Sequence, residues 1–246
     1  MSKELDLMRK VIDNNENIVL VCGSEVFREC GLNGIRAEHL MYDIEEKYGY
    51  SGEEIVTPAF LSRRAGIFYD YYQNIILNFE HPQMTDMFRA ATALEGKGKL
   101  TKVVTRAVYE AFQVAGCENF VSLYGSVEKN RCPVCGKEFG SRYIKDYKGI
   151  PKCDTCGVIL RPGFSLFGEQ LDKARRTEAV NAIENANVLI VAGISLNSMT
   201  WRNMLRYYSG NKLLLLNHEE KEGDERATHR AYGNIEEMFK YITRFC

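Results

Sequence analysis

Four of the eight cysteines stand in two pairs of identical form, Cys132-Pro133-Val134-Cys135 and Cys153-Asp154-Thr155-Cys156, with 17 residues between the pairs. Each Cys-x-x-Cys turn aims two sulfurs at one point. The glycine after each pair, Gly136 and Gly157, lets the backbone fold tightly around an ion. That spacing is the pattern of a four-thiolate zinc ribbon. The competing readings are four unrelated thiols or two redox pairs, and the duplicated spacing favours the metal. With all four positions cysteine, no ligand position is left for water, so zinc here is expected to be structural rather than catalytic. The remaining four (Cys22, Cys30, Cys117 and Cys246) have no paired spacing and read as free thiols. This usage fits a reducing cytoplasm.

The elements that position these residues show in the apolar runs. Ile18-Val19-Leu20-Val21 leads into Cys22-Gly23-Ser24, the pattern of a buried parallel strand feeding a turn. Similar runs recur at Lys102-Val103-Val104-Thr105, Phe120-Val121-Ser122-Leu123, Val188-Leu189-Ile190-Val191 and Leu213-Leu214-Leu215-Leu216. Helical periodicity marks residues 4–14, 84–95, 109–115 and 171–185. Strands alternating with helices predict an α/β fold, a Rossmann-like parallel sheet covered on both faces. Such sheets bind ligands at the carboxyl ends of their strands, which directs attention to Gly23, Thr105, Gly193 and Asn217 onward.

Residues 37–72 are charged, aromatic-rich and helical in period, and read as a helical excursion from the core. Phe68, Tyr69, Tyr71 and Tyr72 within it either line a cleft or, as is commoner for aromatics at this density, pack a core. The expected organisation is a Rossmann-like domain from 1–126 and 162–246, interrupted by a zinc-ribbon module at 127–161. At 246 residues and 45% hydrophobic, the chain can bury a substantial core. A net charge of −1 and a pI near 6.5 give no bulk electrostatic reason to expect nucleic acid or an anionic membrane. Residues 1–14 carry no secretory pattern, and no run approaches the roughly 20 apolar residues that span a bilayer.

The order of these pieces resembles the sirtuin family, NAD-dependent protein deacylases and ADP-ribosyltransferases. The likeness rests on Gly98-Lys99-Leu100, on Gly116 through Leu123-Tyr124-Gly125-Ser126 to Cys132, and on Arg161-Pro162-Gly163-Phe164-Ser165-Leu166-Phe167-Gly168-Glu169. Gly193-Ile194-Ser195-Leu196 is similar to the family's Gly-Thr-Ser-Leu, and Leu216-Asn217 to its Ile-Asn. The resemblance implies that Gly23, Ser24, Arg36, Thr105, Gly193, Ser195, Asn217 and Asn234 stand at nucleotide-binding positions for NAD or ADP-ribose. The equally open reading of Gly193, Ser195 and Asn217 is maintenance of a tight sheet-to-helix turn.

The departures from the family lie where its chemistry would be. Gly23-Ser24-Glu25 stands for its Gly-Ala-Gly turn, so Glu25 brings bulk and negative charge where backbone would approach a pyrophosphate. Asn33-Gly34-Ile35-Arg36 keeps only the arginine of Pro-Asp-Phe-Arg. Thr105-Arg106-Ala107-Val108-Tyr109 replaces Thr-Gln-Asn-Ile-Asp, losing the Asn at Ala107 and the Asp at Tyr109. Tyr124 occupies the general-base histidine position. A tyrosine ordinarily titrates near 10 and a histidine near 6.5, so Tyr124 as a base needs a large depression. Phe164 and Ser165 replace paired valines beside the substrate strand. Arg28 and Arg106 either offset Glu25 or another anion, or are simply solvated.

Three functions follow. The first is a divergent nucleotide-binding or regulatory module without ordinary deacylase activity, a pseudoenzyme. The second is an active NAD-dependent ADP-ribosyltransferase with altered residues. The third is a deacylase with Tyr124 in the place of histidine. All leave the partner or substrate protein unspecified.

Overall fold

The computed structural model describes residues 3–28, 30–32, 34–35, 40–78 and 85–244. In chain order, α1 (Lys3–Asp13) leads to β1 (Ile18–Cys22) and the single turn of α2 (Ser24–Arg28). The helices α3 (Met41–Tyr48), α4 (Gly52–Ile55), α5 (Pro58–Arg63) and α6 (Ala65–Tyr71) follow, with a π-helical continuation at Tyr72–Ile76. Then come α7 (Asp86–Gly96), β2 (Leu100–Thr105), α8 (Ala111–Val114) and β3 (Phe120–Ser122). A small hairpin pairs β4 (Asn130–Arg131) with β5 (Glu138–Phe139) before α9 (Ser141–Asp146). The chain finishes with α10 (Lys173–Asn185), β6 (Val188–Ala192), α11 (Met199–Leu205), β7 (Leu213–Asn217), β8 (His229–Tyr232) and α12 (Ile235–Thr243).

Six strands form one parallel sheet in the order β3-β2-β1-β6-β7-β8. Its central strands are buried on both faces, which is why they read as unbroken apolar runs. In β1, Ile18, Leu20 and Cys22 point into one core, with Met8 of α1, Phe88 of α7 and Phe239 of α12. Val19 and Val21 point into the other, with Ile183 of α10 and Trp201 of α11. This is the α/β, Rossmann-like sheet expected from the sequence. The sixth strand, β8, was not. Its His-Arg-Ala-Tyr lies at the sheet edge, where half-exposed polar residues replace the apolar run.

The strand order reverses between β1 and β6. A crevice therefore opens beyond their carboxyl ends, where ligands bind in doubly wound sheets.

The excursion is helical as expected and continues to Ile76. Ser51 and Glu54 form a reciprocal capping box, and Thr57 caps α5 with Pro58 at its first position. Its aromatics are core. Phe68, Tyr69, Tyr71 and Tyr72 are all essentially buried. Their hydroxyls find partners: Tyr71 donates to the Ile35 carbonyl at 2.9 Å, Tyr69 to the Leu160 carbonyl, and Tyr72 to Asn130 Oδ1 at 2.8 Å. The fully buried Asn130 in turn donates to the carbonyls of Val127 and Phe139. The bonds of Tyr69 and Tyr72 fasten the cysteine-bearing segment to the helical one.

Candidate functional site

The four paired cysteines converge. Their sulfurs all lie within 4.8 Å of one another, and Cys135 Sγ is 3.8 Å from Cys153 Sγ. Tetrahedral zinc with Zn–S bonds of about 2.3 Å sets its sulfurs roughly 3.8 Å apart, so the cage fits that ion. The two knuckles repeat one design. In the first, the amides of Val134 and Cys135 point at Cys132 Sγ, and Gly136, at φ 73°, donates to the Cys132 carbonyl. In the second, the Cys156 amide points at Cys153 Sγ, and Gly157, at φ 69°, donates to the Cys153 carbonyl. Burial pushes the Cys132 thiol up, but the amides of Cys135 and Val134 and the neighbouring thiols outweigh it and hold it at about 6. Amides aimed at sulfur stabilise a thiolate, the form that binds metal. The Lys137–Asp154 ion pair joins the knuckles at 2.7 Å. Of the other cysteines, Cys22, Cys30 and Cys117 are buried and form no disulfide among the described residues, while Cys246 lies outside them.

The second site is a cleft of about 490 Å³ at the carboxyl ends of β1, β2 and β6. Five sequence candidates meet there: Gly23, Ser24, Tyr124, Gly193 and Ser195. Gly23 and Gly193 sit back to back. A Cβ on Gly23 would come within 1.9 Å of the Gly193 carbonyl oxygen, and Gly193 itself has φ 65°. The fold alone therefore demands both glycines.

Three candidates are placed elsewhere. Asn217 is fully buried, and its amide group bridges both backbone groups of Ile194 at 3.0 Å, pinning the turn after β6. Thr105, also buried, accepts from the Ala107 amide at 3.0 Å and shapes the turn after β2. Asn234 caps α12 by accepting from the Glu237 amide at 2.8 Å. Arg36 lies outside the described residues.

The substituted positions have definite surroundings. Arg106 lies 5.1 Å from the Tyr124 ring centroid and donates from Nη2 to the phenol oxygen at 3.4 Å. Ala107 contributes no polar side-chain group. The Tyr109 hydroxyl donates to the Ile76 carbonyl at 3.0 Å, and burial pushes its pKa well up, so it stays neutral. Phe164 is buried edge-on against Tyr72 at 5.3 Å. Glu25 pairs with neither Arg28 nor Arg106, the two partners the sequence offered. Its Oε1 lies 2.5 Å from Lys221 Nζ. Lys221 carries no sequence signal, because a single lysine within Glu219-Glu220-Lys221-Glu222 reads as a solvated loop. The sole tryptophan, Trp201, also lines the cleft.

This chain has known relatives in sequence and fold. The profile of the Sir2 family matches residues 23–200. The chain belongs to the Sir2 family. A sirtuin named NAD-dependent protein deacetylase from Clostridium tetani is 33% identical over 222 residues, covering 89% of each chain. One of the same name from Clostridium acetobutylicum is 31% identical over 225 residues, covering 91% of each. Among solved structures, a Sir2 homologue in complex with NAD is 25% identical, with a TM-score of 0.82 over 97% of this sirtuin and 92% of that chain. A likeness in fold is higher still to a structure of Sir2 enzymes at TM-score 0.86 and 22% identity. Among the described residues, no helix of the sirtuin is long and apolar enough to cross a membrane.

Proposed function

We propose that this sirtuin binds an NAD- or ADP-ribose-type nucleotide in the cleft beyond β1, β2 and β6. We further propose that it acts on protein as an NAD-dependent deacylase or ADP-ribosyltransferase with altered catalytic residues. The observation that carries the reading is the cleft itself, open at the point where strand order reverses and faced by the Arg106–Tyr124 pair. The relatives' shared name, NAD-dependent protein deacetylase, supports an active enzyme over an inert one.

Within this reading, bound NAD supplies the glycosidic bond to be broken. Gly23 and Gly193 let backbone approach the nucleotide. Ser24 and Ser195 offer hydroxyls to it, and Thr105, Asn217 and Asn234 hold the surrounding turns. Tyr124 presents a phenol oxygen with the Arg106 guanidinium fixed beside it, an arrangement that stabilises negative charge developing on that oxygen. The four-cysteine cage takes zinc in a structural role.

A second reading, a nucleotide-binding module without turnover, is favoured by one group of observations. Ala107 has nothing to donate, Tyr109 spends its hydroxyl on Ile76, and no histidine faces the cleft among the described residues. One experiment separates them. Nicotinamide release from NAD, assayed with acyl-lysine peptides and unmodified acceptor proteins, accompanies Trp201 fluorescence titration with NAD. Release supports the enzyme. Binding without release selects the module. Absence of both removes the nucleotide.

A further inference from the structure

The first turn after β1 is where doubly wound sheets receive the phosphates of a dinucleotide. Here that place holds a carboxylate. Glu25 lines the cleft, and its side chain is only 15% exposed. Its Cβ lies against the β6 turn, where a Cβ added to Gly193 would meet it at 3.0 Å. One carboxylate oxygen engages Lys221. The other, Oε2, is buried with no hydrogen-bond partner among the described residues. A buried, half-satisfied carboxylate is costly, so something must hold it there.

Lys221 does so from 196 residues away in sequence, and the backbone that carries it is held without Glu25. The Lys221 amide donates to Asp224 Oδ2 at 2.9 Å, and the Tyr232 hydroxyl donates to the same oxygen at 3.2 Å. Burial, then the Asp224 carboxylate, push Tyr232 up to about 12, so it remains a donor. The loop after β7 is thus set at the rim of the cleft by contacts that do not involve Glu25. Arg28 and Arg106 line the same cleft, making three cations and one carboxylate among its described residues.

We infer that Glu25 is a built-in stand-in for a ligand phosphate, occupying the phosphate station on Lys221 and setting which nucleotides the cleft accepts. A diphosphate binds by taking Lys221 from Glu25, so every phosphate-bearing ligand competes with a tethered carboxylate. This inference rests on the nucleotide reading above and specifies its selectivity. Uncharged ligands lose little by it, since they do not need Lys221. Ligands with two negative charges on phosphate, whether a terminal monophosphate or a diphosphate, lose most, because Glu25 repels what Lys221 would attract.

The test compares ADP-ribose, AMP and adenosine binding to zinc-loaded protein, by calorimetry and Trp201 fluorescence, for wild type, Glu25→Gln, Glu25→Ala and Lys221→Met. Glu25→Gln keeps the side-chain volume and removes only the charge. It is expected to tighten ADP-ribose and AMP, each near two negative charges at neutral pH, by about tenfold or more and adenosine hardly at all. Lys221→Met is expected to weaken ADP-ribose by a similar factor, with thermal melting confirming that both variants fold. Unchanged ADP-ribose affinity in Glu25→Gln overturns the inference while leaving the nucleotide site standing, as does equal tightening for all three ligands. A tightening seen only in Glu25→Ala assigns the effect to bulk and likewise overturns it. No binding by wild type or any variant removes the nucleotide reading, and this inference with it.

Discussion

The cysteine cage and the strand-end cleft lie on one chain but are built by opposite rules. The cage is local and repetitive. Each half consists of five consecutive residues, each half ends in a left-handed glycine, and the same amide-to-sulfur and amide-to-carbonyl bonds appear twice. The cleft is assembled from turns that are far apart in sequence, after β1, β2, β6 and β7. Its small residues answer to each other as much as to any ligand. A site made by a repeat declares itself in sequence; a site made by convergence of distant turns does not.

The largest break of this comparison would come from the cage. Cys132→Ser or Cys153→Ser is expected to drop zinc from one ion per chain to well below it. Because structural zinc contributes on the order of 10 kcal/mol to folding small metal modules, the loss should lower the melting temperature sharply. Full zinc content and an unchanged melt in either variant would mean the cage is not a four-ligand site.

Next is the contact between turns. Gly23→Ala puts a methyl group into the Gly193 carbonyl, so a destabilisation of about 3 kcal/mol is expected in urea unfolding without any nucleotide present. A neutral result would show that the glycine serves a ligand rather than the fold. Tyr124→Phe sharpens the chemical side. In the enzyme reading, removing the phenol oxygen slows nicotinamide release by about a hundredfold, with stability within about 0.5 kcal/mol of wild type. Equal rates would take Tyr124 out of the reaction. The smallest effect belongs to Tyr69→Phe, which removes the bond to the Leu160 carbonyl and is expected to cost about 1 kcal/mol. No cost in thermal melting would mean the helical excursion and the cysteine-bearing segment are not coupled there.

These sites bear on how far the sequence could be read. The central strands β1, β6 and β7 were legible because both of their faces are largely buried, and burial on both faces leaves little room for polar residues. The edge strand β8 escaped notice for the converse reason. The aromatics at Phe68–Tyr72 were rightly weighted toward core, since their hydroxyls are consumed by backbone carbonyls and Asn130. The role of Asn217 was visible only as a strand-end polar residue. Its bridge to Ile194 is a matter of geometry, and the same amide would suit a ribose equally well on paper. Lys221 was invisible. No local pattern tells a lysine in an acidic loop that its partner is a glutamate at the other end of the chain.

Expectations drawn from the family order held at the level of fold, and those drawn from cysteine spacing held for the convergence of the four sulfurs. At the strand-end cleft, the resemblance supplied only what is missing: a histidine, an asparagine and an aspartate. What replaced them became readable once neighbours were in place, as with Arg106 lying across Tyr124 and Tyr109 turned to Ile76.

Where Gly23 faces Gly193, there is no room for a Cβ on Gly23, and the Gly23 amide donates to the Ala192 carbonyl at 2.8 Å. The two turns are held in direct backbone contact. A ligand seated on Ser195 therefore meets Ser24 and Glu25 at a spacing set by backbone contact rather than by side-chain rotamers.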